Sequence, residues 1–174
     1  MTKTRSPQKG ITLLELLVCL SIILIIISLG IPQFMRTLAY FESRSTQQSL
    51  LTYIASARAH ALYLQEVVTL CPLAEDQSCS NDWNKPLTTF SDLNSNAVLD
   101  NTEEIISIWD GKNSLVNMSW TQSRRYIRFR PNGFTTATTG SLRYCSSNYF
   151  EDYDFRIVVA RTGRTRVDRR DHGC

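Results

Sequence analysis

A long apolar run near the N-terminus constrains this chain more than any other feature. Residues 11–31 read ITLLELLVCLSIILIIISLGI and hold a single charged side chain, Glu15. A run of this length and character can cross a lipid bilayer as a helix. The preceding residues 1–10 carry three basic side chains and no acid, and positive charge on that side keeps an N-terminus in the cytoplasm. We therefore expect a single-pass membrane anchor.

The boundaries of the apolar run do not fit an ordinary secretory signal. Such a signal has a small-residue cleavage site after the run, whereas this run continues as SLGIPQF. Gly10 stands before the run, which allows cleavage on that side instead. Glu15 is also unexpected, because an ionisable residue inside a membrane segment is costly and indicates a function. A glutamate that reaches the membrane surface is the alternative.

Residues 9–18, KGITLLELLV, closely resemble the class III signal of type IV prepilins, G-F-T-L-x-E-L. The resemblance implies cleavage after Gly10 by a prepilin peptidase and N-methylation of the new amino terminus, Ile11, where Phe is the usual residue. It also implies that Glu15 pairs with the N-terminal amine of a neighbouring subunit, so that two buried charges neutralise each other. The resemblance further implies location in the inner membrane, with a head in the periplasm and other pilins as partners in a filament.

A second helical segment is predicted over residues 32–66. Its apolar residues recur with a loose 3.6-residue spacing, and several alanines support a helix. Pro32 stands at the junction with the apolar run, where pilin helices also carry a proline, and it removes one helical hydrogen bond. We expect this half to be amphipathic and to lie against a sheet.

The pattern changes to short β-type segments and turns over residues 67–174. The predicted strands are Val67–Cys71, Leu87–Phe90, Ile105–Trp109, Tyr126–Arg130, Ser141–Tyr144 and Phe155–Arg161. One long helix followed by antiparallel strands is an α+β arrangement. Together with the prepilin resemblance, it predicts the type IV pilin fold, in which the N-terminal helix packs on an antiparallel β-sheet head.

Four of the five cysteines lie in the predicted head, and Cys19 lies in the apolar run. Four cysteines allow three pairings. We favour the two local pairs, Cys71 with Cys79 and Cys145 with Cys174, and disulfides suit an oxidising compartment such as a periplasm. A zinc site is the alternative, but the chain has no C-x-x-C pair and no His-x-x-x-His spacing.

Charge is distributed unevenly along the chain. Residues 11–110 hold four basic and eleven acidic side chains, whereas residues 111–174 hold twelve basic and five acidic ones. All of the latter basic residues except Lys112 are arginines. Such asymmetry suggests an anionic partner for the C-terminal part, and a solvated surface is the alternative.

The C-terminal tail carries an arginine cluster, made of Arg161, Arg164, Arg166, Arg169 and Arg170. Strand periodicity places Arg164 and Arg166 on one face, and a tight turn at Gly163 would bring Arg161 near them. Guanidinium groups match phosphate oxygens and stay charged. We favour double-stranded DNA as the partner. A contact with a neighbouring subunit and a solvated edge strand are the alternatives.

Three stretches of the head look like the GspH/FimT group of minor pilins and pseudopilins. They are Leu70–Pro72 with Cys79 and Trp83, Ile127–Gly133, and Arg156–Val159 leading into Gly163–Arg166. The arginine run resembles the DNA-binding motif of FimT-type minor pilins, which implies DNA uptake in natural transformation. The expected function is therefore that of a type IV minor pilin that assembles into the pilus and binds DNA. A type II secretion pseudopilin and a FimU-like pilin that primes assembly without binding DNA are the alternatives.

No enzymatic activity, cofactor or metal site is predicted. The sequence contains no G-x-S-x-G elbow and no phosphate-binding glycine loop. The loop Asp92–Glu103 does place oxygen-bearing side chains at positions 1, 3, 5, 9 and 12 of a calcium loop. Ala97 occupies the sixth position, where the sharp turn requires Gly, and the flanks resemble strands. An ordinary polar turn is therefore favoured over a calcium site.

Overall fold

The computed structural model describes residues 10, 12–111, 116–136, 139–146, 153–168 and 174. One helix, α1, spans Leu13–Leu64 and contains Pro32. It begins after Thr12, whose hydroxyl oxygen accepts a hydrogen bond from the amide of Glu15 at 3.3 Å, as an N-cap residue does. Gln65 follows the helix with a φ of 56°, a left-handed conformation common after a last helical turn. The two predicted helical segments are thus one helix.

Two compact units divide at Leu38. In the first unit, the described residues 12–38 are all exposed along the apolar part of α1. The most apolar 18-residue window of this helix has a mean hydropathy of 2.8, and the helix is long and apolar enough to cross a membrane. An apolar helix surface exposed on every side requires lipid or other apolar helices around it.

The second unit, Ala39–Cys174, contains the rest of α1 and two antiparallel sheets. Its strands are β1 Val68–Pro72, β2 Leu87–Ser91, β3 Ile105–Trp109, β4 Val116–Trp120, β5 Ile127–Phe129, β6 Gly140–Ser146, β7 Phe155–Val159 and β8 Thr165–Asp168. Sheet 1 has the strand order β3-β2-β1-β5, and sheet 2 has the order β4-β6-β7-β8. The strands β3 and β5 are therefore the opposite edges of sheet 1, and β8 is an edge of sheet 2.

The core of the second unit lies between α1 and the two sheets. The helix buries a stripe of residues spaced three and four apart, because such residues share one helical face. The main members of this stripe are Leu50, Tyr53, Ile54, Ala57 and Ala61. They share one hydrophobic cluster with alternate strand residues, among them Leu70 and Phe129 of sheet 1 and Leu142 and Ile157 of sheet 2.

The α+β arrangement of one long helix on antiparallel strands is confirmed, and all six predicted strands are present. The strands β4 and β8 were not among the six predicted strands. In β4, Asn and Ser alternate with the apolar residues, and its pairing with β6 stabilises it. The strand predicted to reach Arg161 ends at Val159, where a turn begins. The head also has two sheets where one was expected, because β5 pairs with β1 while β6 pairs with β4 and β7.

Candidate nucleic-acid interface

The strands β7 and β8 and the turn between them form the arginine hairpin, residues 155–168. The amide of Gly163 donates to the carbonyl oxygen of Ala160 at 2.8 Å, and the amide of Ala160 donates to that of Arg164 at 2.9 Å. Gly163 has a φ of 75°, which glycine adopts readily. These bonds define a three-residue hairpin loop that ends in a left-handed glycine. The tight turn predicted at Gly163 is therefore present.

Arg161, Arg164 and Arg166 are exposed on this hairpin. In the register of β7 and β8, Arg166 lies opposite Val158, while Val167 lies opposite the fully buried Ile157 and packs against the core. Arg166 therefore lies on the outer face of sheet 2, and Arg164, two residues earlier, lies on the same side. The turn places Arg161 at the end of the same hairpin.

Within the described part of the chain, the ion pairs are Arg128 with Asp92 and Arg156 with Asp168. Asp168 thus neutralises Arg156, which lies directly opposite it on β7. None of the three hairpin arginines takes part in either pair. The described carboxylates therefore leave the charges of these arginines available to an anion. Arg169 and Arg170 lie outside the described residues.

Two disulfides are present, Cys71–Cys79 and Cys145–Cys174. These are the two local pairs favoured from the sequence, and Cys19 is free and exposed on α1. The second disulfide joins the last residue of the chain to β6, with a Cα–Cα distance of 5.8 Å across 29 residues. It fixes the end of the C-terminal tail beside sheet 2, at the open end of the arginine hairpin, because the neighbouring Tyr144 pairs with Phe155.

Arg58 of α1 is a further residue of this region, and no local sequence pattern points to it. Its Nε donates a hydrogen bond to the carbonyl oxygen of Gly133 at 2.9 Å. The side chain also lies against the hairpin turn, since a Cβ atom at residue 163 would stand 2.6 Å from the same Nε. Any larger residue at position 163 would therefore displace Arg58. Lone arginines on an amphipathic helix are usually surface residues, so only the contacts identify this one.

Asp92, at the first position of the calcium-loop spacing in residues 92–103, is fully buried. One of its carboxylate oxygens, Oδ2, accepts hydrogen bonds from Arg128 Nη2 at 2.6 Å and from the hydroxyl of Thr69 at 2.5 Å. The amide of Ala97 also donates to this oxygen, at 3.3 Å. Asp92 is thus part of a buried ion pair beneath the loop.

The other four candidate ligand side chains are bonded within the loop, whereas Oδ1 of Asp92 is buried and has no hydrogen-bond partner among the described residues. Asp100 accepts hydrogen bonds from the side-chain amides of Asn94 and Asn96, at 2.7 and 2.9 Å. The two carboxylate oxygens of Glu103 accept hydrogen bonds from the amides of Leu93 and Asp100. We therefore attribute these side chains to a polar turn, and we do not propose calcium binding.

The predicted processing and assembly residues lie at the start of the first unit. Gly10 is exposed just before α1, and Glu15 is exposed in its first turn. Thr12 and Glu15 have the spacing of a capping box, a local signal that explains where the helix begins. Ile11, the predicted N-methylated residue, lies outside the described residues.

Comparison with known families gives two matches. Residues 46–163 match the family described as Type II transport protein GspH, and residues 5–31 match the Prokaryotic N-terminal methylation motif. No curated protein sequence matches the chain. The family match covers α1 from Thr46 onwards and most of the described head, and it ends at Gly163, before Arg164 and β8.

Solved structures with a similar fold are also pilin-like proteins. The type IV minor pilin FimU of Pseudomonas aeruginosa PAO1 is 17% identical over 73% of this chain and 88% of its own, with a TM-score of 0.58. A second crystal form of FimU gives 17% identity, coverages of 72% and 91%, and a TM-score of 0.56. The minor pseudopilin EpsH of Vibrio cholerae is 11% identical over 74% of this chain and 97% of its own, with a TM-score of 0.49. The FimU structures confirm the predicted type IV pilin fold.

Proposed function

The chain belongs to the GspH family of type II transport proteins, and from this premise we propose that it is a minor pilin of a type IV pilus that binds double-stranded DNA through the arginine hairpin. A role as a minor pilin or pseudopilin follows from the family and from its N-terminal methylation motif. One observation carries the proposal of DNA binding. Arg161, Arg164 and Arg166 are exposed on one hairpin and form no ion pair with the described carboxylates.

The chemistry of the hairpin suits a DNA backbone. A guanidinium group presents donors that match phosphate oxygens, and it remains charged at any physiological pH. Contacts to phosphates carry no sequence information, so binding would be largely independent of base sequence. Each phosphate contact releases counterions, so affinity would fall steeply as salt increases. The hydrogen-bonded turn at Gly163 supports this role because it defines the backbone from which Arg161 and Arg164 extend.

The N-terminal unit supports membrane anchoring and filament assembly. Its exposed apolar helix suits the inner membrane before assembly and the packed helices of a filament afterwards. In this proposal a prepilin peptidase cleaves after Gly10, Ile11 becomes the methylated terminus, and the head lies in the periplasm. Mass spectrometry of the mature protein tests this part. A chain that keeps residues 1–10, or that is cut after the apolar run, contradicts it.

A pseudopilin of a type II secretion system is the second candidate, and the description of the matching family favours it. In that case the arginine hairpin would contact acidic surfaces of neighbouring subunits. A pilin that primes assembly without binding DNA would use the hairpin in the same way. Both alternatives predict that the arginines are needed for filaments, whereas DNA binding predicts that filaments form without them.

The decisive experiment measures DNA binding by the full-length protein in non-ionic detergent. A fluorescent duplex is titrated at two salt concentrations with the wild type and with the double variant Arg164→Ala, Arg166→Ala. We expect weaker binding by the variant and a salt slope smaller by roughly two units, about one for each arginine that no longer neutralises a phosphate. Arg44→Ala is the matched control, because Arg44 is exposed on α1 and stacks on Tyr40.

Filaments and transformation are then compared in cells. The double variant should keep its pili and lose transformation, because exposed arginines contribute little to stability. Unchanged duplex binding by this variant would show that the hairpin is not the DNA site. Loss of pili would identify the hairpin as a contact between subunits.

A further inference from the structure

A second glycine turn lies directly beside the turn of the arginine hairpin. In this second turn, residues 130–134, the amide of Gly133 donates to the carbonyl oxygen of Arg130 at 2.8 Å, and the amide of Arg130 donates to that of Phe134 at 2.8 Å. Gly133 has a φ of 73°. The turn at Ala160–Arg164 has the same two hydrogen bonds and a glycine of nearly the same φ. The head thus presents two neighbouring turns of one geometry.

The two turns contact each other through their backbones. The amide of Thr135 donates to the carbonyl oxygen of Arg161 at 2.9 Å. A Cβ atom at residue 163 would stand 2.1 Å from the carbonyl oxygen of Gly133, so the two backbones touch. Arg58 supports both turns, because its Nε bonds the same Gly133 oxygen. The groups that the two turns expose therefore lie on one connected surface.

The second turn adds a cation and an aromatic ring to this surface. Arg130 is exposed, and neither ion pair of the described residues includes it. Phe134 is 44% exposed, although it is a large apolar side chain next to a row of arginines. Proteins bind single-stranded nucleic acid with two kinds of group. Arginines contact its phosphate backbone, and aromatic rings stack on its bases.

We propose that the turn Arg130–Phe134 makes this surface a site for DNA with unpaired bases. Arg130 contacts a phosphate, and the ring of Phe134 stacks on a base next to it. This inference rests on the proposed DNA binding by the arginine hairpin and adds a preference for single strands and frayed ends. Inside an intact duplex both faces of each base are already stacked, so the ring finds a partner only where bases are unpaired.

The test compares two DNA forms on the full-length protein in detergent. The probes are a fluorescent single strand of mixed sequence and the matching blunt duplex. Phe134→Ala should weaken single-strand binding by about tenfold, the effect of removing one stacked base, and should leave duplex binding within about twofold. Phe134→Trp should keep the preference for single strands, because a larger ring stacks at least as well. Arg130→Ala should weaken both and lower the salt slope by about one unit.

The matched control for Phe134 is Ile108→Ala. Ile108 is 59% exposed on β3, at the edge of sheet 1 opposite β5, and its loss should change neither affinity. An unchanged ratio of single-strand to duplex affinity in Phe134→Ala overturns the inference. If that variant also fails to enter filaments, its ring contacts a neighbouring subunit instead.

The failure of this inference differs from the failure of the proposed function. If the double variant Arg164→Ala, Arg166→Ala binds duplex like the wild type, the arginine hairpin does not bind DNA, and both proposals are wrong. If the double variant loses duplex binding while Phe134→Ala leaves the affinity ratio unchanged, only the preference for unpaired bases is wrong.

Discussion

The guanidinium group of Arg128 lies 2.6 Å from the carboxylate of Asp92, and both side chains are buried, with 7% and 0% of their surface exposed. The pair connects β5 to the loop that follows β2. Nε of Arg128 also donates to the hydroxyl of Thr69 on β1, at 2.9 Å. The ring of Tyr126 stacks over the guanidinium group at 4.3 Å. This charged pair therefore adds a side-chain contact between the polar loop and sheet 1 to the backbone bond from the amide of Asp92 to the carbonyl oxygen of Val67, at 2.8 Å.

Removing one partner of this pair should destabilise the head strongly. Asp92→Ala leaves the Arg128 charge buried without its partner, which typically costs about 3–5 kcal/mol of unfolding free energy. Asp100→Ala, in the same loop but less buried, should cost under about 1 kcal/mol. Urea unfolding followed by fluorescence of the three tryptophans, all in the head, measures both. Equal stability of Asp92→Ala and wild type would mean that the pair contributes nothing.

Replacing Gly163 should deform the arginine hairpin. Gly163→Ala places a Cβ atom 2.1 Å from the Gly133 carbonyl oxygen, at a φ of 75° that alanine adopts with strain. We expect a loss of about 2 kcal/mol or more of unfolding free energy and weaker duplex binding. Thr162→Ala, at the exposed neighbouring position, is the control and should leave both unchanged. Wild-type affinity in Gly163→Ala would show that the rigid turn is not needed for binding.

Opening the second disulfide should destabilise the fold and release the tail. The double variant Cys145→Ser, Cys174→Ser removes a cross-link over 29 residues, for which loop-closure entropy gives about 3–4 kcal/mol. We expect this loss in urea unfolding, together with faster proteolysis of the tail and weaker duplex binding. The variant Cys71→Ser, Cys79→Ser opens a loop of only 8 residues and should leave duplex binding unchanged. If the variant at Cys71 and Cys79 weakens duplex binding and the variant at Cys145 and Cys174 does not, the C-terminal tail is not part of the DNA site.

The head should lose stability in alkali through Tyr144. Burial, and secondly the negative charge of Glu42, raise the pKa of Tyr144 to about 12 from its usual value of 10.0. Below pH 10 the hydroxyl is neutral in both states. Between pH 10 and 12 the unfolded chain loses a proton that the folded protein keeps, so the free energy of unfolding falls as pH rises, by on the order of 1 kcal/mol per pH unit.

Tyr144→Phe removes this titration and should make the pH dependence of unfolding above pH 10 less steep, and the part that remains includes Tyr53, whose pKa is also raised by burial. Tyr63→Phe is the matched control, since Tyr63 is 84% exposed, and it should keep the wild-type slope. Urea unfolding at a series of alkaline pH values gives all three slopes. A slope for Tyr144→Phe equal to that of the wild type would mean that this hydroxyl is not the group responsible.

The carboxylate of Glu15 should matter for assembly and not for membrane insertion. Glu15→Ala makes the helix more apolar, so insertion should persist, whereas the pairing with a neighbour's amine would be absent. Ser21→Ala is a control on the same helix, because the Ser21 hydroxyl bonds the carbonyl oxygen of Val18 within α1. Subunit amounts in membranes and in sheared filaments measure the two steps. Normal filament levels of Glu15→Ala would argue against charge pairing.

The sequence by itself determined the features that depend on neighbouring residues. The apolar run predicts the exposed N-terminal helix because its length and composition alone make it suited to lipid. Short β-type segments bounded by turns located most strands, and the short spacing between Cys71 and Cys79 favoured their pairing. Gly163 predicted a tight turn, because few residues other than glycine adopt its φ without strain. Each of these signals spans only a few residues along the chain.

The tertiary structure alone decided what depends on residues far apart in the sequence. Asp92 fits the first position of a calcium loop by spacing, but in the fold its carboxylate is bonded to Arg128, 36 residues away. β4 is a strand because β6 pairs with it. The two glycine turns meet through their own backbones, and α1 places Arg58, 75 residues before Gly133, beside both. Local periodicity indicates which side chains face the core, but not which distant group lies against each of them. For a charged side chain, that contact decides whether its charge is neutralised or remains available to a partner.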